Sequence, residues 1–132
     1  MMNYNQRRLR ALIDKLRHDT FAGKIDWKLT TKNSALAEFQ SGHVEISWGE
    51  DENGQDAVRL ALQDYGSAEG MSFDDTDLTY RDNLGNLNTY YNEMEELITA
   101  ALRYAKGEER ILDKFLSELG VTVEKDDDQP FF

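Results

Sequence analysis

Two histidines and several groups of acidic residues are the side chains of this chain that could do chemistry. His18 lies four residues after Asp14, so on a helix both would share one face and could offer two ligands to a metal ion. A protein metal site of this kind needs three or four ligands, and no third one has an assignable spacing. We therefore interpret this pair as a solvated helix pair and His43 as a solvated residue on the outer face of a strand.

Two acidic segments, EDENGQD and DDTD, resemble calcium-binding loops in composition. A calcium loop of the EF-hand type requires a glycine at its sixth position and a carboxylate at its twelfth, and neither segment has both. We interpret EDENGQD as a charged hairpin tip and DDTD as the end of a strand. Together they form a predicted acidic face that consists of Glu50, Asp51, Glu52, Asp56, Asp74, Asp75 and Asp77.

Motifs of the known catalytic and cofactor-binding classes are absent from the sequence. It has no cysteine, which excludes disulfides, thiolate metal sites and cysteine nucleophiles. It has no glycine-rich phosphate-binding loop of the Walker type, and no serine has a histidine at an assignable spacing. We therefore predict no metal, no cofactor and no enzymatic activity; an enzyme without a recognisable motif is kept as an alternative.

Charge is distributed unevenly along the 132 residues. The first thirty-two carry eight Lys/Arg and three Asp, a net charge of +5, and the others carry seven Lys/Arg and twenty-three Asp/Glu, a net charge of −16, which gives −11 for the chain. Affinity for nucleic acid comes from basic residues that neutralise phosphates. The acidic chain therefore indicates either a basic protein partner or a charge that serves only solubility, and no direct contact with nucleic acid.

The pattern of apolar residues predicts an α+β fold. Helical spacing predicts an N-terminal helix over about residues 5–20. Alternating apolar residues then predict an antiparallel meander of four or five strands with one apolar face, and a C-terminal helical region is expected to pack on that face. Gly107 either kinks this region or divides it into two helices. Its apolar stripe consists of Met94, Leu97, Ile98, Ala101, Ala105, Ile111, Leu112, Phe115, Leu116 and Leu119.

Face parity predicts how the strands pair. The predicted connections are a loop at Lys32–Ser34, a two-residue turn at Ser41-Gly42, a three-residue loop at Glu52–Gly54 with Gly54 left-handed, and a two-residue turn at Gly66-Ser67. The corresponding pairs are Leu29 with Ala37, Phe39 with Val44, Trp48 with Val58, and Leu62 with Met71. One buried face then contains Phe39, Val44, Ile46, Leu60 and Leu62. Three tyrosines, Tyr80, Tyr90 and Tyr91, either form a contact patch or cover the open end of the sheet.

The chain ends in KDDDQPFF, which is an aspartate run followed by a proline and two phenylalanines. This ending resembles the acidic C-terminal tip of bacterial single-stranded DNA-binding proteins, in which one phenylalanine follows the proline. The resemblance implies a docking peptide whose aromatic end enters an apolar pocket of a DNA-maintenance enzyme while the carboxylates meet a basic rim. The matching residues are Asp126, Asp127, Asp128, Pro130, Phe131 and Phe132. The second phenylalanine is a departure that moves the terminal carboxylate by one position.

These observations predict one α+β domain over residues 1–122 and an acidic-aromatic tail over residues 123–132. No apolar run approaches the length of a membrane span and no signal peptide is recognisable, so we expect a cytoplasmic protein that does not bind membranes. The leading prediction is a small non-catalytic interaction protein that binds basic partners, one version being a nucleic-acid mimic of the kind that phages use to inhibit nucleic-acid-acting enzymes. The alternative is an accessory factor of DNA replication or repair that docks through its tail. The tail either docks on a partner or folds back on its own domain, and the oligomeric state is left open.

Overall fold

The structure is a computed structural model that describes residues 2–123, apart from the side chain of Glu109. The predicted docking residues Asp126, Asp127, Asp128, Pro130, Phe131 and Phe132 lie outside the described residues. The elements in chain order are α1 (Tyr4–Phe21), β1 (Lys28–Thr31), β2 (Ser34–Glu38), β3 (Gly42–Glu50), β4 (Asp56–Asp64), β5 (Gly70–Asp74), a 3₁₀ helix (Asp75–Leu78), β6 (Tyr80–Arg81), β7 (Leu87–Asn88), α2 (Tyr91–Ala105) and α3 (Glu108–Glu118). The predicted α+β class is confirmed.

Helix α1 begins at a capping box and ends before a left-handed glycine. The Asn3 side chain accepts a hydrogen bond from the Gln6 backbone N–H at 2.8 Å, and the Gln6 side chain accepts one from the Asn3 N–H at 3.0 Å. These two bonds satisfy backbone donors that the first turn leaves without partners. Gly23, with φ of 73°, lies just beyond the helix. The N-terminal helix predicted over about residues 5–20 is therefore confirmed.

The five strands β1 to β5 form one antiparallel sheet in which each strand pairs with its neighbours in sequence. The predicted register of β3 and β4 is confirmed, with Trp48 opposite Val58. Gly54 closes their three-residue loop with φ of 76°. Residues other than glycine are strained in this backbone conformation. The predicted register of β4 and β5, with Leu62 opposite Met71, is confirmed as well.

The predicted register of β2 and β3 is wrong by two residues, because Val44 lies opposite Ala37 and not opposite Phe39. A shift of two residues leaves every side chain on the same face, so parity could not detect it. Gly42 belongs to β3 and not to the turn. A Cβ atom on it would lie 1.9 Å from the Gln63 carbonyl oxygen, so the close approach of β4 is what requires glycine there.

Two further connections differ from their predictions. Leu29 of β1 lies opposite Ala35 and not Ala37, which is again a shift of two residues with no change of face. The turn between β4 and β5 is wider than a two-residue glycine turn. The Asp64 carboxylate closes it by accepting hydrogen bonds from the Gly66 N–H at 3.0 Å and the Ser67 hydroxyl at 3.1 Å.

Helix α2 packs on β1 to β4, and α1 packs on α2; the buried side chains of these elements form one core. Trp27 precedes β1 and is buried, and its indole N–H donates to the Thr20 hydroxyl at 2.9 Å. Burial of a large ring is compatible with stability here because its polar atom has a partner. The largest fully buried side chains besides Trp27 are Ile13, Ile46, Val58, Leu60, Leu78, Met94, Leu97 and Ile98.

Gly107 divides the C-terminal helical region into two helices. Its φ of 79° ends α2 and places α3 on a new axis. The prediction of one buried stripe is wrong for the second half, since α3 contacts only α2 among the elements described. Its apolar residues Ile111, Leu112, Phe115 and Leu119 are between 52% and 75% exposed. Within residues 2–123, no helix is both long and apolar enough to cross a membrane.

Candidate functional site

The tip of the β3–β4 hairpin places two carboxylates directly across from each other. Glu50 and Asp56 are the last cross-strand pair before the loop, and both are exposed. Like charges in this position destabilise a hairpin by a few tenths of a kcal/mol, roughly. Among the described residues, neither carboxylate forms an ion pair that would offset the repulsion.

The loop between these strands adds two more acids with different roles. Asp51 has a structural role, since its carboxylate accepts hydrogen bonds from the backbone N–H groups of Asn53 at 2.8 Å and Gln55 at 3.0 Å. Glu52 is exposed at the tip. The loop conformation therefore depends on one acid of the segment and leaves Glu50, Glu52 and Asp56 directed at solvent.

The segment DDTD begins as the predicted strand end and continues as the 3₁₀ helix. Asp74 closes β5 and caps this helix by accepting from the Thr76 N–H at 3.0 Å. Asp77 completes a capping box by accepting from the Asp74 N–H at 2.9 Å. Carboxylates are favoured at such a start because they satisfy free N–H groups. Both residues of the predicted acidic face thus have a local structural role.

Asp75, the third acid of DDTD, is 7% exposed and does not lie on an acidic face. Its carboxylate accepts a hydrogen bond from the Val58 N–H at 2.9 Å. Burial raises the pKa of Asp75 above its ordinary value of 3.8, and nearby Asp74 and Asp51 add to the increase, while the hydrogen bond from Val58 opposes it. No local pattern in the sequence indicates this burial, because acidic residues in a turn are usually solvated.

Two aromatic side chains and a further acid stand next to the hairpin tip. The rings of Trp48 and Tyr91 are 6.4 Å apart between centroids, and both are half-buried. Burial raises the pKa of the Tyr91 hydroxyl, and the neighbouring carboxylates of Glu95 and Asp56 raise it further. Helix α2 therefore contributes Glu95 to the same region, an acid that sequence reasoning missed. Helical spacing was the available signal, since Glu95 is four residues after Tyr91.

We call this surface the acidic end; it consists of Glu50, Asp51, Glu52, Asp56 and Glu95, with Trp48 and Tyr91 beside them. It lies at one end of β3 and β4. Within residues 2–123, no group of three His, Asp or Glu side chains is arranged to hold a metal ion. The chemistry that this surface offers is attraction of positive charge combined with aromatic contact area.

Tyr80 and Tyr90 have a structural role beside α1. The Arg10 guanidinium lies over the rings of Tyr80 and Tyr90, 5.0 and 4.3 Å from their centroids, and donates to the Leu78 carbonyl oxygen at 2.8 Å. The Tyr90 hydroxyl donates to the Asp14 carboxylate. Burial and this hydrogen bond raise the pKa of Tyr90. Of the two alternatives for these residues, Tyr80 and Tyr90 therefore hold α1 in place and do not form a free contact patch.

The histidines are placed apart from the acidic end. His18 Nδ1 lies 3.2 Å from the Asp19 carboxylate, so its neighbour is Asp19 and not Asp14. His43 is half-buried, and its ring centroid is 5.8 Å from that of Tyr65. In these positions each histidine has a side-chain neighbour that accounts for its placement.

The opposite end of β3 and β4 has an apolar surface. Val44 is buried as predicted, but Leu62 is half-buried, Met71 is 47% exposed, and the prediction that Phe39 is buried is wrong because it is 42% exposed. These four residues line a depression of about 450 Å³, which we call the apolar groove. Asp64 and Glu69 are two charged residues among the others that line the groove.

The described surface thus offers charge at one end of the sheet and apolar area at the other. Comparison of the chain with protein-family models, with curated proteins and with solved structures finds no match in any of the three. The proposals that follow are therefore supported by the contacts of this chain alone.

Proposed function

We propose that this protein is a non-catalytic interaction protein that binds a basic protein partner through its acidic end. The observation that supports this most is the Glu50–Asp56 pair. An opposite-charge or neutral pair would stabilise the hairpin at that position, so the two carboxylates lower its stability. A cationic surface bound at the tip would relieve their repulsion. This relief would make the free energy of binding more favourable.

The aromatic neighbours support the same function. Interfaces gain most of their affinity from a few large side chains, often Trp and Tyr, which become buried against the partner. Trp48 and Tyr91 retain exposed area beside the carboxylates. Charge would then steer the partner to the acidic end and determine specificity, while the rings would supply apolar contact area. A nucleic-acid mimic is one version of this function, in which carboxylates occupy the places of phosphates on the partner.

A charge-matched comparison tests the proposal. A basic partner is captured from a bacterial lysate and purified, and its affinity for the wild type and for two variants is measured. The test variant carries Glu50→Gln, Glu52→Gln and Asp56→Asn. The control variant has the same net charge and carries Asp26→Asn, Asp113→Asn and Glu118→Gln. All six positions are exposed. We expect the first variant to lose more than about tenfold in affinity, or about 1.4 kcal/mol, and the control to lose much less. Equal losses in both would show that only net charge matters and would contradict the proposal.

Salt provides a second measurement on the same complex. Exposed charges are screened over about 8 Å at physiological ionic strength, so affinity through the acidic end should fall steeply as salt is added. Duplex DNA should displace the chain from its partner if the chain acts as a nucleic-acid mimic. A complex that is indifferent to both additions would be inconsistent with this function.

The alternative, docking through the tail, is distinguished by deletion. It is supported by the resemblance of residues 126–132 to the tips of single-stranded DNA-binding proteins. A chain that ends at Glu124 retains the acidic end and lacks residues 125–132 of the tail. If this chain loses the partner while the Glu50, Glu52, Asp56 variant keeps it, the protein is an accessory factor that docks by its tail.

A further inference from the structure

Helix α3 presents an apolar face that the rest of the described domain does not cover. We use the name α3 face for Ile111, Leu112, Phe115 and Leu119, which are exposed. A helix of eleven residues is marginally stable alone in water, and contiguous apolar surface of this kind commonly marks a contact site. The α3 face therefore needs a cover that α2, its neighbour in the fold, does not provide.

One flank of this face is basic. Lys106, Arg110 and Lys114 follow one another at four-residue spacing and line a shallow depression together with Ile111. Long basic side chains at the edge of an apolar helix face can cover apolar area with their stems and place their charges at a rim. The cover that fits the α3 face is thus an apolar surface with carboxylates along one side.

The apolar groove has those properties. Phe39, Val44, Leu62 and Met71 give it apolar lining, and the acidic residues Asp64 and Glu69 line it as well. An amphipathic helix in an apolar groove is a common mode of recognition. The groove is not filled by the chain's own α3, because α3 contacts only α2 among the described elements.

We propose that α3 of one copy packs into the apolar groove of a second copy, and that the second copy returns the same contact. The two surfaces complement each other in polarity and charge, and they belong to the same chain. A two-fold arrangement uses each surface once and closes without leaving a free site. The complementary charges would place Lys114 or Arg110 beside Glu69 at each of the two contacts.

The location of the acidic end is compatible with this dimer. Glu50 and Asp56 lie at the other end of β3 and β4 from Val44 and Leu62, so the strongest negative charge is kept away from the contact. Repulsion between two chains of charge −11 weakens the dimer but does not act at the groove itself. The proposal is independent of the proposed function, because it uses different residues.

Measurement of mass in solution tests the dimer. Sedimentation equilibrium of the full chain should show a rise from 15.2 kDa to twice that mass as concentration increases. The variants Phe115→Glu on α3 and Met71→Glu in the groove should each stay monomeric and folded, because both side chains are exposed in the single chain. Leu84→Glu is the matched control: Leu84 is 86% exposed in the β6–β7 loop, and this variant should dimerise as the wild type does.

Mixing the two monomeric variants separates this dimer from other arrangements. An equal mixture contains one intact α3 and one intact groove, so it should recover one of the two contacts and form a heterodimer. A dimer made by two α3 faces would instead persist in the Met71→Glu variant alone, because its α3 is unchanged. Lys114→Glu should weaken the dimer, and adding Glu69→Lys to the same chain should restore it.

Four outcomes would overturn the proposal. They are a wild type that is monomeric up to about 0.1 mM, a dimer that survives Met71→Glu, a mixture that stays monomeric, and a Leu84→Glu variant that dissociates like Phe115→Glu. The first includes the case in which the groove takes another occupant, such as the chain's own tail.

Discussion

Helices α2 and α3 carry the same kind of apolar stripe and differ in what surrounds it. In α2 the side chains of Met94, Leu97, Ile98 and Ala101 are fully buried against α1 and the sheet. In α3 the corresponding side chains face solvent. The two stripes are continuous in sequence, so periodicity alone assigns both helices to the same core.

The difference originates at Gly107, where the left-handed backbone changes the direction of the chain. An amphipathic pattern identifies the face of a helix whose burial is favourable. It does not identify the surface that buries this face. A covered stripe stabilises the fold of its own chain, whereas an uncovered one is available to a partner.

The largest expected difference between the helices concerns stability. Leu97→Ala in α2 removes a fully buried side chain and should lower the free energy of unfolding by about 2–5 kcal/mol. Leu112→Ala in α3 should change it by less than about 0.5 kcal/mol. Urea unfolding followed by circular dichroism, at a concentration where the chain is monomeric, checks both. A loss of several kcal/mol at Leu112 would show that α3 packs on its own domain.

Removal of an ion pair should also lower stability more in α2 than in α3, with smaller effects than the two leucine substitutions. Glu96 of α2 accepts from Arg17 of α1 at 2.5 Å, and both side chains are mostly buried. Glu108 of α3 lies 3.5 Å from Arg103 and is more exposed. Glu96→Gln should cost about 1–3 kcal/mol because it leaves a partly buried cation with a weaker partner, and Glu108→Gln about 0–0.5 kcal/mol. The same unfolding measurement compares them, and equal costs would contradict the distinction.

The junction between the helices should be sensitive to a single methyl group. Gly107→Ala places a Cβ on a left-handed residue and 3.0 Å from the Arg110 guanidinium, so it should lower stability by about 1 kcal/mol. Gly49→Ala is the control, since a Cβ there meets nothing within 4 Å and the φ of Gly49 is not positive. If Gly107→Ala instead raises helix content without loss of stability, the two helices can merge into one and their different surroundings are not fixed by the junction.

The smallest effect concerns a charge in the covered part of the molecule, near the start of α2. The pKa of Asp75 is higher in the folded state than its ordinary 3.8. The folded state therefore binds the proton of the Asp75 carboxyl group more tightly than the unfolded state does. The group therefore stabilises the fold at low pH, and that contribution is lost as pH rises from 3.8 through the folded pKa. Asp75→Asn keeps an acceptor for the Val58 N–H and has no charge to bury. Its melting temperature relative to the wild type should rise as pH increases from about 4 to about 7; a constant difference would contradict the raised pKa.

Much of the sheet was predictable because its signals are local. Gly54 marks a left-handed position in a three-residue loop, and parity then sets Trp48 opposite Val58. The pairing of β2 and β3 was not predictable in the same way. Gly42 suggested a turn. Glycine is required there because the Gln63 carbonyl oxygen of β4 lies too close for a side chain, and these two residues are distant in sequence.

The candidate surfaces were predictable only in part. Glu50, Glu52 and Asp56 were identified by charge in a loop, and that segment is exposed. The buried Asp75 carboxylate meets the Val58 N–H, seventeen residues earlier, and Phe39 is exposed although it has the parity of the buried Ala35 and Ala37. Contacts of this kind are set by packing in three dimensions, which periodicity and local spacing do not record.

The pairing of α1 with α2 also determines the order in which this protein can fold as it is synthesised. Each strand of the five-stranded sheet finds its partner next in sequence, but Arg17 meets Glu96 only after 79 further residues. At about 5–20 residues per second, the ribosome needs roughly 4–16 s to make that stretch. Throughout this interval the apolar side of α1 is without its helical cover, and Arg7, Arg8 and Lys15, which are exposed in the folded chain, supply charge of the kind that opposes aggregation.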